Sequence, residues 1–295
     1  MAGGQERALR RRIKTVQATR KITKAMELIA ASQITRSQAR ITANRPYREG
    51  MRRIIIEAAM ADPHAAGKLL GEPERVTNVL VLVVAGDRGL SGAYNSSVLR
   101  AGERLVAELR SQGVGAQIMA VGKKAGPYYR FRGLDVTRSF VGFADRPTFA
   151  DASQVATAVA APFIDGEVQR VVIVSTRFRS AGAQSVQVEQ LLPLVMPEVP
   201  ATPSGLHGYT EFEPEVEHLL MSLAPHAVES EIFTALLEGS ASFHTSQQRA
   251  MAAATDNADE LSLNLTRVMN RARQDAITTE IMEIVGGAEA LRTGK

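Results

Sequence analysis

The 295-residue chain contains no cysteine. That removes a disulfide framework, a thiolate metal site and a thiol nucleophile from consideration. No run approaches the ~18 consecutive apolar residues of a membrane-spanning helix. Proline is missing before Pro46 and again after Pro225. Acidic side chains are scarce in the first 53 residues, where Glu6, Glu27 and Glu49 stand against 14 Lys and Arg. That segment therefore carries +11 and the remainder −7, although the whole chain is only +4. A basic arm on a mildly acidic body points to an acidic partner: nucleic acid, an anionic membrane surface or a carboxylate-rich protein. An Arg-rich amphipathic start is also the mark of an organelle presequence, but here the pattern continues to Arg53 without a break.

What the two ends do contain is helical periodicity. Leu9, Ile13, Val16, Ile22, Met26 and Ile29 recur at steps compatible with one buried stripe, with Ala25, Ala30 and Ala31 beside them. The spacing predicts a helix of about 40 residues, or ~60 Å, continuing through MRRIIIEAAM toward a stop at Asp62-Pro63. After Pro225 a second stripe is expected from Met251, Ala254, Ala258, Leu261, Leu265, Val268, Ala272, Ile277, Ile281 and Ile284. Helices this long owe most of their stability to packing. Two of them at opposite ends of one chain are expected to pair as an antiparallel coiled coil.

The middle reads differently. Apolar runs at 76–84, 116–121 and 170–176 alternate with helical patterns at 96–113 and 152–164. That alternation predicts a parallel sheet with covering helices. Residues 185–195 can add a further strand, and MPEVPATPSG (196–205) reads as a linker. The expected organisation is residues 1–62, 74–200 and 210–295, with the first and last segments pairing.

The loop GDRGLSGAYN, after the first strand, has the look of a phosphate-binding or nucleophile turn. It lacks the Gly-Lys-[Ser/Thr] ending of a Walker loop. Gly122-Lys123 has no glycine at 117 and no hydroxyl residue after the lysine. Gly113 and Gly115 begin a dinucleotide fingerprint that Ile118 breaks. Ser91 resembles an elbow serine but lies about seven residues beyond the apolar run, whereas an elbow joins strand directly to helix. The five histidines show no metal-binding spacing and are expected at the surface or at caps. The glycines are then simply turn formers.

Three stretches together carry a more specific signal: RRIKTVQATRKITKAMELIAASQITRSQAR (11–40), GDRGLSGAYN (86–95) and ATDNADELSLNLTRVMNRARQDAITTEIMEIVGGAEAL (254–291). In order and spacing they resemble the γ subunit of F-type ATP synthase over essentially the whole chain. The resemblance implies a central rotor shaft: an antiparallel coiled coil of the terminal helices with a Rossmann-like domain at its foot. Such a subunit has no catalytic residues, cofactor or metal of its own. It turns inside a hexamer of α and β subunits, binds the ε subunit and the c-subunit ring, and takes no nucleic acid. Its expected location is the cytoplasmic face of the inner membrane, peripheral and not inserted.

The same resemblance assigns rotor–stator contacts to Arg273 and Gln274 of the ARQ motif, to Met26, and to Arg88 and Ser91 of the glycine loop. Aliphatic and small residues at the end (Ile281, Val285, Gly286, Gly287, Ala288) would form a sliding tip, unless Gly286-Gly287 merely frays the helix. One departure stands out. Where the family reads Ala-Ser-Glu and, a few residues later, Ala-Arg, this chain has Phe243 and Gln247, which puts a charged contact there in doubt. A nucleotide-binding α/β enzyme with helical extensions and a basic coiled-coil nucleic-acid binder are the competing readings.

Overall fold

The computed structural model describes residues 2–62, 71, 73–194 and 212–293. The expected linker at 196–205 lies outside the described residues. The described residues form, in order, α1 (Ala2–Ala61), β1 (Asn78–Val84), α2 (Tyr94–Ser111), β2 (Gly115–Val121), α3 (Ala125–Phe131), β3 (Val136–Phe140), α4 (Phe149–Ile164), β4 (Arg170–Phe178), β5 (Gln184–Leu192) and α5 (Val216–Thr293). The chain divides into two compact units, one of Met1–Ala30 with Gln248–Lys295 and one of Ala31–Gln247.

α1 reaches the expected stop, whereas α5 begins before the proline at 225. α1 passes through Pro46 and α5 through Pro225. An interior proline frees the carbonyl four residues back. Thr42, which carries that carbonyl in α1, is exposed, so water can take the lost bond. α1 stops at Ala61, one residue before Asp62-Pro63, because a residue preceding proline is driven out of the helical region.

In the first unit the helices pair in antiparallel sense: Thr23 Oγ1 lies 2.8 Å from Thr255 Oγ1, and Arg20 pairs with Asp259. The seam differs from the predicted stripe. Ile13, Thr23 and Ala30 are buried, whereas Ile22 and Ile29 are exposed. On α5 the covered positions are Met251, Thr255, Ala258, Ser262, Leu265, Met269, Ala272 and Ala276, alternating steps of four and three. That is a heptad repeat, which imposes a left-handed supercoil. Leu261, Val268, Ile277, Ile281 and Ile284 fall outside the seam and are exposed. The seam is made largely of small residues, so a search for large aliphatics mixes it with a neighbouring stripe. Beyond Ala276 every described side chain of α5 is exposed, and the helix continues through Gly286 and Gly287 without a break.

The second unit holds a five-stranded sheet in the order β3-β2-β1-β4-β5. The first four strands are parallel and β5 returns antiparallel to β4, so the sheet is mixed, with one antiparallel edge. Central β1 is buried along all but its first residue, which is why it reads as an unbroken apolar run. Leu80, Leu82 and Val84 face a core shared with Val155 and Val159 of α4 and Ile232 and Leu236 of α5. Val79, Val81 and Val83 face Val98 and Val106 of α2 and Tyr129 of α3. β3 (VTRSF) and α3 (AGPYYRF) are short, and neither shows a periodic pattern. Segments of α1 and α5 also belong to this unit. They run antiparallel through Ser37–Ser240, Asn44–Thr234 and Arg48–Glu231, and Met51 and Ile55 pack with Leu220 and Ala227.

The seam generates a stability prediction. Ala258→Leu, at a buried seam position, is expected to destabilise by about 1–3 kcal/mol through overpacking. Leu261→Ala, at an exposed position, should change stability by less than about 0.5 kcal/mol. Denaturant unfolding of the two variants measures the contrast.

Candidate functional site

The glycine loop leaves the carboxyl end of β1, where parallel sheets usually bind their ligands. Here that end is occupied by the chain itself. Phe243 of α5 is almost completely buried, and its ring stacks edge-on against Tyr94 with centroids 5.6 Å apart. A Cβ on Gly86 would meet that ring at 3.1 Å. Glycine at 86 thus suits close packing against an aromatic side chain, where a phosphate site would need open backbone. Gly122 has a comparable explanation: its φ is 94°, and a Cβ there would collide with the Ala85 carbonyl at 2.3 Å. Neither glycine leaves room over its backbone for a polyphosphate.

Two side chains hold the loop. The Asp87 carboxylate accepts from the backbone N–H of Lys123 at 3.0 Å, Gly142 at 3.1 Å and Ala144 at 3.0 Å. It thus ties the ends of β1, β2 and β3 together through charge-assisted bonds. The Asn95 amide spans the loop, its Oδ1 accepting from Gly86 N–H at 2.8 Å and its Nδ2 donating to the Arg88 carbonyl at 2.9 Å. Sequence reasoning passed over both residues. The one available signal was their type, since Asp and Asn at loop ends commonly serve backbone N–H groups.

Between these anchors the loop presents a tip. Arg88 is 77% exposed and reaches Asp145 at 3.0 Å. Leu90 is 63% exposed and adopts φ 61°, a left-handed conformation that costs a non-glycine residue roughly 1–2 kcal/mol. Ser91, expected as an outward contact, is buried, with its Oγ 3.4 Å from Asn95 Nδ2. The reason is geometric: the turn at Leu90 and Gly92 folds Ser91 under the loop. The outward apolar position is Leu90.

His244 corrects the expectation of surface histidines. It is buried beside Phe243, with ring centroids 5.4 Å apart, and its Nε2 lies 3.4 Å from the Asp145 carbonyl. Burial lowers its pKa, with Arg88 contributing, against the opposing influence of Asp145 and Gln247. Phe243 and Gln247, the two departures in sequence, thus surround one buried imidazole. The other predicted contact residues lie in the unit formed by the chain ends. Arg273 and Gln274 are exposed on α5, and Met26 is half-buried on α1. Among the described residues no cluster of His, Cys, Asp and Glu could hold a metal ion, and no helix is long and apolar enough to cross a membrane.

A family model described as ATP synthase matches residues 5–291. The ATP synthase gamma chain of Parafrankia sp. (strain EAN1pec) is 48% identical over 297 residues, covering 99% of each chain. The chain belongs to the ATP synthase gamma chain family. A second gamma chain, from Frankia casuarinae, is 46% identical over 297 residues, again 99% of both. Two solved structures share the fold. One, described as Euglena gracilis mitochondrial ATP synthase, OSCP/F1/c-ring, matches with a TM-score of 0.68 at 17% identity, covering 99% of this chain and 96% of that one. The other, the central stalk and c-ring of the Tetrahymena thermophila mitochondrial ATP synthase, has a TM-score of 0.62 at 23% identity, covering 79% and 99%. The gamma-chain fold is thus an α/β sheet domain with long paired terminal helices, as the sequence motifs implied.

Two predictions arise from the loop. Asp87→Asn places an amide NH₂ against backbone donors and should cost about 2 kcal/mol in unfolding free energy, measured by denaturant titration. For His244, the unfolded chain takes up a proton near the ordinary histidine value of 6.5 while the folded chain resists it. More protons bind to the unfolded state in that window, so stability falls as pH drops below about 6.5. His244→Gln should flatten this acid-side slope in melting curves recorded between pH 7 and 5.

Proposed function

We propose that the chain is the central rotor shaft of an F-type ATP synthase, coupling rotation of a c-subunit ring to conformational cycling of catalytic sites on neighbouring subunits. The observation that carries this reading is the bare end of α5. From Ile277 to Glu289 the helix is exposed on all sides, over about 20 Å, and Ile277, Ile281, Met282, Ile284 and Val285 are all about half exposed or more. Apolar surface of that extent on a single helix calls for a surrounding sleeve. A sleeve formed by α and β subunits would bury it without a deep anchor, which suits a shaft that must turn.

In this reading residues 1–62 and 210–295 act as the shaft and 74–200 as the foot that meets the ε subunit and the c ring. The chain itself carries no catalytic group. The carboxyl end of β1, filled by Phe243 and Tyr94, supports that reading over a nucleotide-binding enzyme. Arg273, Gln274, Met26, Arg88 and Leu90 would touch the stator in turn. Exposed charge pairs are each worth only ~0–1 kcal/mol, so they would act as a field that changes with rotor angle and not as fixed bonds. Ser91 serves the loop internally. The assembly would sit on the cytoplasmic face of the inner membrane, with this chain peripheral to it.

Reconstitution tests the proposal. Mixed with α and β subunits, the chain is expected to produce cooperative ATPase activity that it lacks alone. An Ile281→Asp/Ile284→Asp variant should lose at least about tenfold in assembly or turnover, because charge would enter an apolar sleeve. Arg273→Ala should assemble normally but couple ATP hydrolysis to proton movement less tightly. Nucleotide turnover by the isolated chain would overturn the reading.

A further inference from the structure

In the unit Ala31–Gln247, a cleft of about 420 Å³ separates one face of α1 from the loop leading into α4. Gln33, Arg36 and Arg40 line it from the helix, and Asp145, Arg146 and Thr148 from the loop. Arg36 and Arg40 are four residues apart and so share a face. Three arginines thus line one cleft, two from the helix and one from the loop. The single carboxylate among them, Asp145, pairs with Arg88 through Oδ2 at 3.0 Å, while its Oδ1 is buried without a hydrogen-bond partner. Neither Arg36 nor Arg146 forms an ion pair among the described residues.

The cleft is also held in shape. Arg40 donates from Nη2 to the Pro147 carbonyl. Ser240 Oγ donates to the Asp145 carbonyl at 2.6 Å. The Thr148–Asp151 capping box fixes the start of α4. Burial and the neighbouring Arg146 charge both lower the Arg40 pKa. Planar guanidinium forks converging on one space match a tetrahedral oxyanion with several acceptor atoms.

We propose that this cleft binds a multiply charged oxyanion of the phosphate class through Arg36, Arg40 and Arg146. The oxyanion is either free phosphate or the terminal phosphoryl group of a larger molecule. Binding is independent of any stator subunit, so the site stands apart from the rotor reading and does not rest on it.

The purified full chain, without α or β subunits, is titrated by calorimetry at constant ionic strength. One series uses inorganic phosphate and the other magnesium-free ATP. Saturable one-to-one binding is expected in at least one series. Saturation by phosphate assigns a free anion, and saturation by ATP alone assigns a phosphoryl tail. Arg36→Ala/Arg146→Ala should weaken binding at least about tenfold, the loss of one or two charge-assisted hydrogen bonds. Both residues are exposed, so the melting temperature of the variant should match the parent. Arg146→Ala alone, on a surface loop, should show a smaller loss in the same direction. An Arg110→Ala/Arg130→Ala control, which removes two cations elsewhere, should bind as the parent does. Absence of saturable binding in both series, or affinity unchanged in the Arg36→Ala/Arg146→Ala variant, overturns the proposal.

Discussion

The structure depends on close antiparallel packing of α1 and α5 along a seam of small side chains. Thr23, Ala30, Thr255 and Ala258 supply little apolar area each, so the stability of the pair comes from proximity and length, not from large knobs. Hydroxyl groups in such a seam must be satisfied. Thr23 and Thr255 Oγ1 lie within hydrogen-bond distance of each other and of backbone carbonyls one turn back in their own helices; with one proton each, one donates across the seam while the other donates to its own helix. Leaving the bulky aliphatics Ile22, Ile29, Leu261 and Val268 outside the seam sets exposed apolar side chains among the basic ones on the helix surface, as suits a protein enclosed by others.

The α/β unit follows a different logic. A parallel sheet normally offers its strand ends to a ligand, yet here α5 places Phe243 over that position and the loop is closed by its own carboxylate and amide. The consequence is a turn with a defined, outward tip. Leu90 keeps a left-handed backbone because Asp87 and Asn95 fix the loop on either side. Strain of this kind persists only where the surroundings over-determine it.

Charge is distributed along the same lines. The basic arm read from the sequence is only partly neutralised within the chain, through Arg10–Glu6, Arg20–Asp259, Lys24–Glu27 and the pairing of Arg48 and Arg52 with Glu231. Arg36 and Arg146 remain without ion-pair partners among the described residues. The Arg48–Glu231 contact is shielded from solvent more than the others and sits where the paired helices meet the sheet unit's core, so it joins packing to electrostatics at one point.

The sequence by itself determined the class of this fold. Proline-free ends with helical periodicity dictated long helices, and alternating apolar runs dictated a mostly parallel sheet, because both patterns are local and repeat. Three motifs in order sufficed for the family. Tertiary structure alone decided which positions formed the seam, since small residues such as Thr255 and Ser262 carry no hydrophobic signal of their own. It decided that β3 and α3 exist, both being too short to show a period. It also turned Ser91 inward and Leu90 outward, and it converted Phe243 from an apparent departure into the residue that covers the glycine loop. Each of these outcomes depends on contacts between residues far apart in the chain, and no local pattern encodes such contacts.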